Sequence, residues 1–255
     1  MQKIINQILP VLESNKKCVL AMVVACSGSS PAVVGGRMVV SGEGRIAGTV
    51  GGGGLEKLAI ADAVSALKRG KSFLKEYPLD RKSGLQVCGG KVSIFFDVIS
   101  PPKHLVIAGA GHIGLSLSVI AKLLDYDVTV VDNRREFADP KRFPHIGKVL
   151  CGRYEKILRK IPMDRHTAVV IVTHGHLHDA EALRTVLSRE AGYIGMIGSR
   201  AKIEHVFKEM KRLGFTANRL KSVHTPIGLD IGAQTPEEIA VAIAAELIQM
   251  SKMEG

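Results

Sequence analysis

The sequence predicts an α/β protein with a smaller N-terminal α+β domain, residues 1–100, and a C-terminal doubly wound parallel sheet, residues 101–255. Two observations support this division. The stretch SPPK at 100–103 places two prolines between apolar, strand-like runs, as a linker does. Beyond it, apolar strand-like runs alternate with helix-like segments, which is the pattern of a mostly parallel sheet covered by helices.

The N-terminal domain is predicted to combine two helices with several strands. Apolar residues recur at helical spacing over 2–14, and CVLAMVVAC at 18–26 is a continuous apolar run that fits a buried strand. A hairpin is expected around Gly42–Gly44, a helix after the glycine run at 51–54, and a further strand at 92–99.

The C-terminal domain is predicted to alternate five strands with four helices. The strands are expected at HLVIAG, DVTVVD, 147–151, 168–173 and 193–198. The helices are expected up to about Leu124, over 179–189, over 200–212, and from Pro236, where proline suits the first turn.

Composition and charge narrow the classes of function. Hydrophobic residues make up 46% of the 255 residues, aromatic residues only 4%, and the formal net charge is +11. A basic chain attracts anions, but the basic residues are scattered and form no patch or motif, so we expect no nucleic-acid partner. No apolar run is long enough to span a membrane, and the N-terminus lacks a signal-peptide pattern, so the expected location is the cytoplasm.

The four cysteines contain no C-x-x-C pair, which argues against a structural zinc knuckle. Cys18, Cys26 and Cys151 lie in or beside apolar strands and are therefore expected in the core. Cys88 stands before a Gly-Gly pair and a strand, a setting that suits either a reactive thiol or a buried side chain.

The stretch HLVIAGAGHIG carries Gly109, Gly111 and Gly114 in the spacing G-x-G-x-x-G, between a strand and a helix, and Asp132 ends the next strand. This is the context of a Rossmann dinucleotide site, with phosphate at the helix N-terminus and the acidic residue at a ribose. We expect a nucleotide or pterin phosphate here. Two arginines after Asp132 suit either an additional phosphate or the solvated surface: Arg134 and Arg135.

The stretch THGHLHD at 173–179 resembles the T-H-x-H-x-D-H run of binuclear zinc hydrolases, but its last two residues are swapped. No second cluster supplies the missing ligands, so no protein-bound metal is expected. His174 follows a strand directly, and Asp179 suits the first turn of a helix. Both are therefore interpreted as residues at the ligand-binding edge of the sheet.

Several stretches together resemble the XdhC/CoxI family of accessory proteins for molybdenum hydroxylases, over about residues 10–250. They are SGSSPAVVGGRM, GGGGLE, VCGG, IAGAGHIG, VVDNR, THGH, YIGMIGSRAK and HTPIGLDIGAQTPEEIAVAIAAE. The resemblance implies a small N-terminal sheet domain and a C-terminal Rossmann domain. It also implies that the protein binds molybdenum cofactor, promotes its sulfuration and passes it to an apo-hydroxylase, with a sulfurase as a second partner. We further expect a homodimer.

The resemblance also implies a set of cofactor-binding residues. In the N-terminal domain they are Ser29, Gly35, Gly52, Gly53, Glu56, Gly89 and Gly90, with Cys88 as a catalytic thiolate. In the C-terminal domain they are Gly109, Gly111, His112, Gly114, Asp132, His174, Ser199 and Arg200. Many family members have two adjacent cysteines where this chain has Val87 and Cys88, so only single-thiolate chemistry remains open. The functional centre is expected between the domains, with Cys88 facing it.

Two other functions remain open on the residues alone. The glycine fingerprint and Asp132 also fit an NAD(P)-dependent oxidoreductase, with NAD(P) or an FAD-type dinucleotide at the glycine loop, although the chain has no Tyr-x-x-x-Lys pair. A nucleotide-sensing regulatory subunit would need only the Rossmann half. Molybdenum and pterin in the purified protein distinguish the accessory protein from both alternatives.

Overall fold

The computed structural model describes residues 2–79 and 89–253. The chain forms two compact units, one through Pro101 and the other from Pro102. Cys88 lies outside the described residues, and so does the side chain of His176.

The N-terminal unit is built on a five-stranded antiparallel sheet in the order β3-β2-β1-β5-β4. Its elements are α1 Gln2–Glu13, β1 Cys18–Ser27, β2 Arg37–Ser41, β3 Gly44–Gly48, α2 Gly53–Arg69, β4 Phe73–Pro78 and β5 Lys91–Ile99. In β1, the central strand, Val19, Ala21 and Val23 are buried in the core that α2 covers, while Leu20 and Met22 are half-buried. This alternation is that of a sheet with one well-covered face, although the apolar run itself predicts burial on both.

The C-terminal unit is a six-stranded parallel sheet in the order β11-β10-β9-β6-β7-β8. Read from β8, this is the order 3-2-1-4-5-6 of the dinucleotide-binding Rossmann fold, so the predicted fold class is confirmed. The strands are β6 His104–Ala108, β7 Asp127–Asp132, β8 Lys148–Cys151, β9 Thr167–Ile171, β10 Tyr193–Met196 and β11 Val223–His224.

Helices cover both faces of this sheet, as the buried parallel strands require. They are α3 His112–Leu123, α4 Tyr154–Leu158, α5 His176–Leu187, α6 Arg200–Arg212, α7 Ala217–Lys221 and α8 Pro236–Met253. Helices α3 and α8 contribute to the core on one face, and α4 to α7 contribute to the core on the other. No helix of the described residues is both long and apolar enough to cross a bilayer.

The structure differs from the sequence prediction in its short elements and in one cysteine. Helix α5 begins at His176 instead of residue 179, and four elements were not predicted because they are short or only partly apolar: β4, α4, α7 and β11. The assignment of Cys151 to the core is wrong, because its strand lies at the edge of the sheet and the residue is exposed. Cys18 is buried, and Cys26 is half-buried against the N-terminal core.

Candidate functional site

The carboxyl edge of the parallel sheet brings together loops that are far apart in sequence. Ala108 at the end of β6 pairs with Val131 on one side and with Ile171 on the other, and Ile171 also pairs with Met196. The loops after β6, β7, β9 and β10 therefore begin next to one another at the carboxyl edge of the sheet. The strand order reverses between β6 and β9, which is where ligands bind in open α/β sheets.

The three fingerprint glycines have different physical roles. A Cβ on Gly109, whose φ is +124°, would lie 2.2 Å from the carbonyl oxygen of Val172. A Cβ on Gly114 would lie 1.9 Å from the carbonyl oxygen of Gly109, so this glycine allows α3 to pack closely on the loop. A Cβ on Gly111 would meet no atom within 4 Å. Gly111 is therefore the position at which a ligand can approach the backbone at the start of α3.

Asp132 is fully buried, and its carboxylate is already engaged by the protein. Its Oδ2 accepts a hydrogen bond of 2.8 Å from the Ala110 backbone N–H, and its Oδ1 accepts one of 2.9 Å from the Arg134 backbone N–H. The Arg134 guanidinium adds a two-pronged ion pair at 3.0 and 2.9 Å. Asp132 thus links the glycine loop after β6 to the residues that follow β7.

These contacts decide the charge of Asp132. Burial acts to raise its pKa, but hydrogen bonds from the Arg134 side chain and backbone and from Ala110 act in the opposite direction. The net result is a pKa below the usual 3.8. The carboxylate is therefore ionised at neutral pH and is paired with Arg134.

The segment after β9 is organised by Asp179, which lies in the first turn of α5, as the sequence predicts, and is fully buried. The Thr173 hydroxyl donates a hydrogen bond of 2.5 Å to Asp179 Oδ1, and Lys202 of α6 forms an ion pair with Oδ2. These contacts tie the ends of β9 and β10 together. No group of three or more His, Cys, Asp or Glu side chains suited to a metal ion occurs among the described residues.

Beside this segment lies a polar cluster in which the sequence predicted His174 but not its neighbours Asn133 and Tyr154. Asn133 Nδ2 lies 3.1 Å from His178 Nε2, and the His178 ring packs against the rings of His174 and Tyr154, with centroids 5.9 and 5.8 Å away. The Tyr154 hydroxyl is buried without a hydrogen bond of normal geometry, although the Asn133 backbone N–H lies near it. Only the position of Asn133, directly after Asp132, could have indicated this cluster.

The remaining residues named from the sequence lie exposed at the same edge. His112 is the first residue of α3, His174 follows β9, and Arg200 is the first residue of α6. The Ser199 hydroxyl oxygen accepts a hydrogen bond of 3.4 Å from the Lys202 backbone N–H, so Ser199 caps α6.

Three glycine-rich segments converge within the N-terminal unit. Ser29 pairs with Gly89 in an isolated bridge, and a Cβ on Gly90 would lie 2.3 Å from the Ser29 carbonyl oxygen. A Cβ on Gly51 would lie 3.1 Å from Ala32. The loop after β1 therefore touches both the glycine run before α2 and the Gly-Gly pair before β5.

The other predicted residues of this unit fall into two groups. Gly35, Gly52 and Gly53 have positive φ, and a Cβ on any of them would meet no atom within 4 Å. Glu56, in contrast, accepts a hydrogen bond from the Thr49 hydroxyl and lies 3.6 Å from Arg45. Glu56 thus stabilises the turn into α2, while the three glycines keep their backbone open.

The fold defines a two-unit α/β protein with a small antiparallel-sheet unit followed by a Rossmann domain. Comparison with known families identifies it further. Residues 105–247 match the family described as "XdhC Rossmann domain", and residues 11–78 match "XdhC and CoxI family". The chain belongs to the XdhC and CoxI family, and the predicted resemblance is confirmed.

Two curated relatives are similar over much of the chain. An uncharacterised protein, YqeB, of Escherichia coli K12 is 31% identical over 93% of this chain and 44% of its own length. A protein of Bacillus subtilis 168, described as a probable xanthine dehydrogenase subunit, is 31% identical over 63% of this chain and 46% of its own length. The chain thus spans less than half the length of either relative.

A solved structure shares the fold over nearly the whole chain. It is a crystal structure described as a xanthine dehydrogenase from Bacillus halodurans, with a TM-score of 0.57 at 20% identity. The match covers 98% of this chain and 97% of that one. At this identity the likeness concerns the fold.

Proposed function

We propose that this protein is an accessory factor for a xanthine-dehydrogenase-like molybdenum hydroxylase, and that it binds molybdenum cofactor, assists its sulfuration and delivers it to the apo-enzyme. Family membership and the name of the Bacillus subtilis relative support the hydroxylase connection. We further propose that it acts as a homodimer and receives sulfur from a sulfurase.

The observation that carries the cofactor proposal is the convergence of the three glycine-rich segments in the N-terminal unit. Gly35, Gly52 and Gly53 leave open space beside their backbone. Backbone N–H groups in glycine turns suit the phosphate of an anionic pterin. Arg37, which donates a 3.2 Å hydrogen bond to the Gly35 carbonyl oxygen, adds positive charge beside one of these turns. The residues present therefore fit the anionic part of the cofactor.

Within this proposal, Ser29, Gly52, Gly53 and Gly89 would contact the cofactor, while Gly90 and Glu56 hold the segments in place. When bound, the cofactor supplies the molybdenum centre whose sulfuration the hydroxylase needs. Cys88 precedes Gly89 directly, and a thiolate is a soft ligand suited to such a centre. We propose Cys88 as the residue that contacts it.

The test is to purify the protein from cells that make molybdenum cofactor and to measure bound molybdenum and pterin fluorescence. We expect bound molybdenum and pterin fluorescence in the wild type, and the loss of most of both signals in Cys88→Ala. Cys151→Ala is the matched control, because Cys151 is an exposed thiol in the other unit. A folded wild-type protein without pterin would contradict cofactor binding, and a Cys88→Ala protein that retains it would remove only the thiol from the proposal.

A further inference from the structure

Two arginine side chains, those of Arg134 and Arg142, lie beside the fingerprint loop. Arg142 Nη1 donates hydrogen bonds to the carbonyl oxygens of Ala110, at 2.9 Å, and of Phe137, at 2.8 Å. The guanidinium carbons of Arg134 and Arg142 lie 3.7 and 5.0 Å from the centroid of the Phe137 ring. Both arginines are therefore held in defined positions beside the loop.

In this arrangement Asp132 is not available to accept hydrogen bonds from the hydroxyls of a ribose. In Rossmann sites the acidic residue that ends the second strand accepts hydrogen bonds from the ribose hydroxyls of NAD. Here its side chain has no exposed surface, and both of its oxygens accept hydrogen bonds from Ala110 and Arg134. The Arg134 guanidinium covers this carboxylate and keeps 23% of its side-chain surface exposed.

The charges at this place favour an anion. Asp132 offsets the charge of Arg134, which leaves the charge of Arg142 beside the loop, and Glu136 is exposed to solvent. Among the described residues, no carboxylate forms an ion pair with Arg142, and its Nε and Nη2 groups remain after Nη1 has bound the two carbonyls. A guanidinium with free N–H groups is well suited to a phosphate.

We infer that the carboxyl edge of the Rossmann sheet binds an adenine dinucleotide that carries a phosphate on its adenosine ribose, and that Arg134 and Arg142 select this phosphate. The pyrophosphate approaches at Gly111, where the backbone is open. The ribose phosphate lies beside the two guanidinium groups, above the buried Asp132. This inference is independent of the molybdenum-cofactor proposal, which rests on the N-terminal unit.

The test compares NADP+ with NAD+ by calorimetry on the full chain. We expect the wild type to bind NADP+ about tenfold more tightly or better, which is the effect of one or more charge-assisted hydrogen bonds. Arg142→Gln and Arg134→Lys should each reduce this preference severalfold. The ratio of the two affinities is the informative quantity, because a general disturbance of the fold weakens both ligands alike.

Arg135→Gln is the matched control, since Arg135 is exposed and adjacent in sequence. It should keep the wild-type ratio and the wild-type thermal unfolding. Equal affinity for both nucleotides, tighter binding of NAD+, or binding of neither would overturn the inference. Loss of the preference in Arg135→Gln alone would overturn the assignment to Arg134 and Arg142. If Arg134→Lys fails to fold, Arg142→Gln still decides.

Discussion

The carboxylate of Asp132 accepts a 2.8 Å hydrogen bond from the backbone N–H of Ala110, so the end of β7 supports the glycine loop after β6. Arg134 holds the same carboxylate from the other side. An acidic residue at this position is usually regarded as a ligand contact. In this protein it is buried and bound to Ala110 and Arg134, and we propose that a ligand meets the loop backbone and the arginines instead.

Gly111→Val should abolish nucleotide binding without destabilising the protein. The φ of Gly111 is −69°, and an added Cβ meets no atom within 4 Å, so only the approach of the ligand is blocked. Gly114→Ala is the matched control, because its Cβ would lie 1.9 Å from the Gly109 carbonyl oxygen. That variant should lose about 1–3 kcal/mol of unfolding free energy. Calorimetry and urea unfolding on both variants check this, and unchanged affinity in Gly111→Val would place the site elsewhere.

Asp132→Asn should lower the free energy of unfolding by about 1–3 kcal/mol near neutral pH, because charge-assisted hydrogen bonds to a buried group are weakened. The folded pKa of Asp132 lies below 3.8, so its contribution is present above that pH and is lost as pH falls through the folded pKa. The difference in unfolding free energy between the wild type and Asp132→Asn should therefore become smaller below pH 3.8. Urea unfolding of both proteins at a series of pH values measures this difference. A difference that stays constant to the lowest pH at which the protein folds would contradict the ion pair between Asp132 and Arg134.

The THGHLHD segment should hold no tightly bound zinc. Asp179 is buried and already engaged by Thr173 and Lys202, so it is not available as a ligand. Elemental analysis of tag-free protein should give far less than one zinc per chain. Stoichiometric zinc that disappears in a His174→Ala, His176→Ala double variant would show the prediction to be wrong.

The described cysteines should differ sharply in alkylation. Cys151 is exposed and should react in the native protein, whereas Cys18 has no exposed surface, and burial raises the pKa of its thiol. Cys18 should therefore react only after unfolding. Mass spectrometry of peptides after a timed iodoacetamide reaction gives the order, with Cys151→Ser to confirm the assignment. Rapid native labelling of Cys18 would mean that the β1 region opens readily.

Tyr193→Phe should cost about 1 kcal/mol of unfolding free energy. The Tyr193 hydroxyl donates a 2.9 Å hydrogen bond to Glu246, which also accepts one from the Gly228 backbone N–H and lies 2.9 Å from His224 Nδ1. Glu246 keeps these two partners in the variant, so the loss is small. Glu246→Ala removes the acceptor for all three groups and should cost more in the same urea measurement. Equal losses in the two variants would show that the contacts of His224 and Gly228 contribute nothing.

The sequence by itself determined the class of fold and the location of the glycine loop between β6 and α3. Apolar strands alternating with helices specify a parallel sheet, and the spacing of Gly109, Gly111 and Gly114 places a tight turn at the start of α3. These features depend on neighbours along the chain, so they can be predicted from local pattern. The glycine roles at Gly109 and Gly114 also follow from that spacing.

Only the tertiary structure decided which polar residues at the carboxyl edge are exposed and which are buried. Asp132 ends β7 and Asp179 lies in the first turn of α5, positions at which site residues often occur, yet both are buried and form ion pairs with Arg134 and Lys202. The arginine pair at Phe137, and the contacts of Ser29 with Gly89 and Gly90, join segments far apart in sequence. Burial and charge pairing depend on such distant neighbours, and for that reason the spacing of residues along the chain does not reveal them.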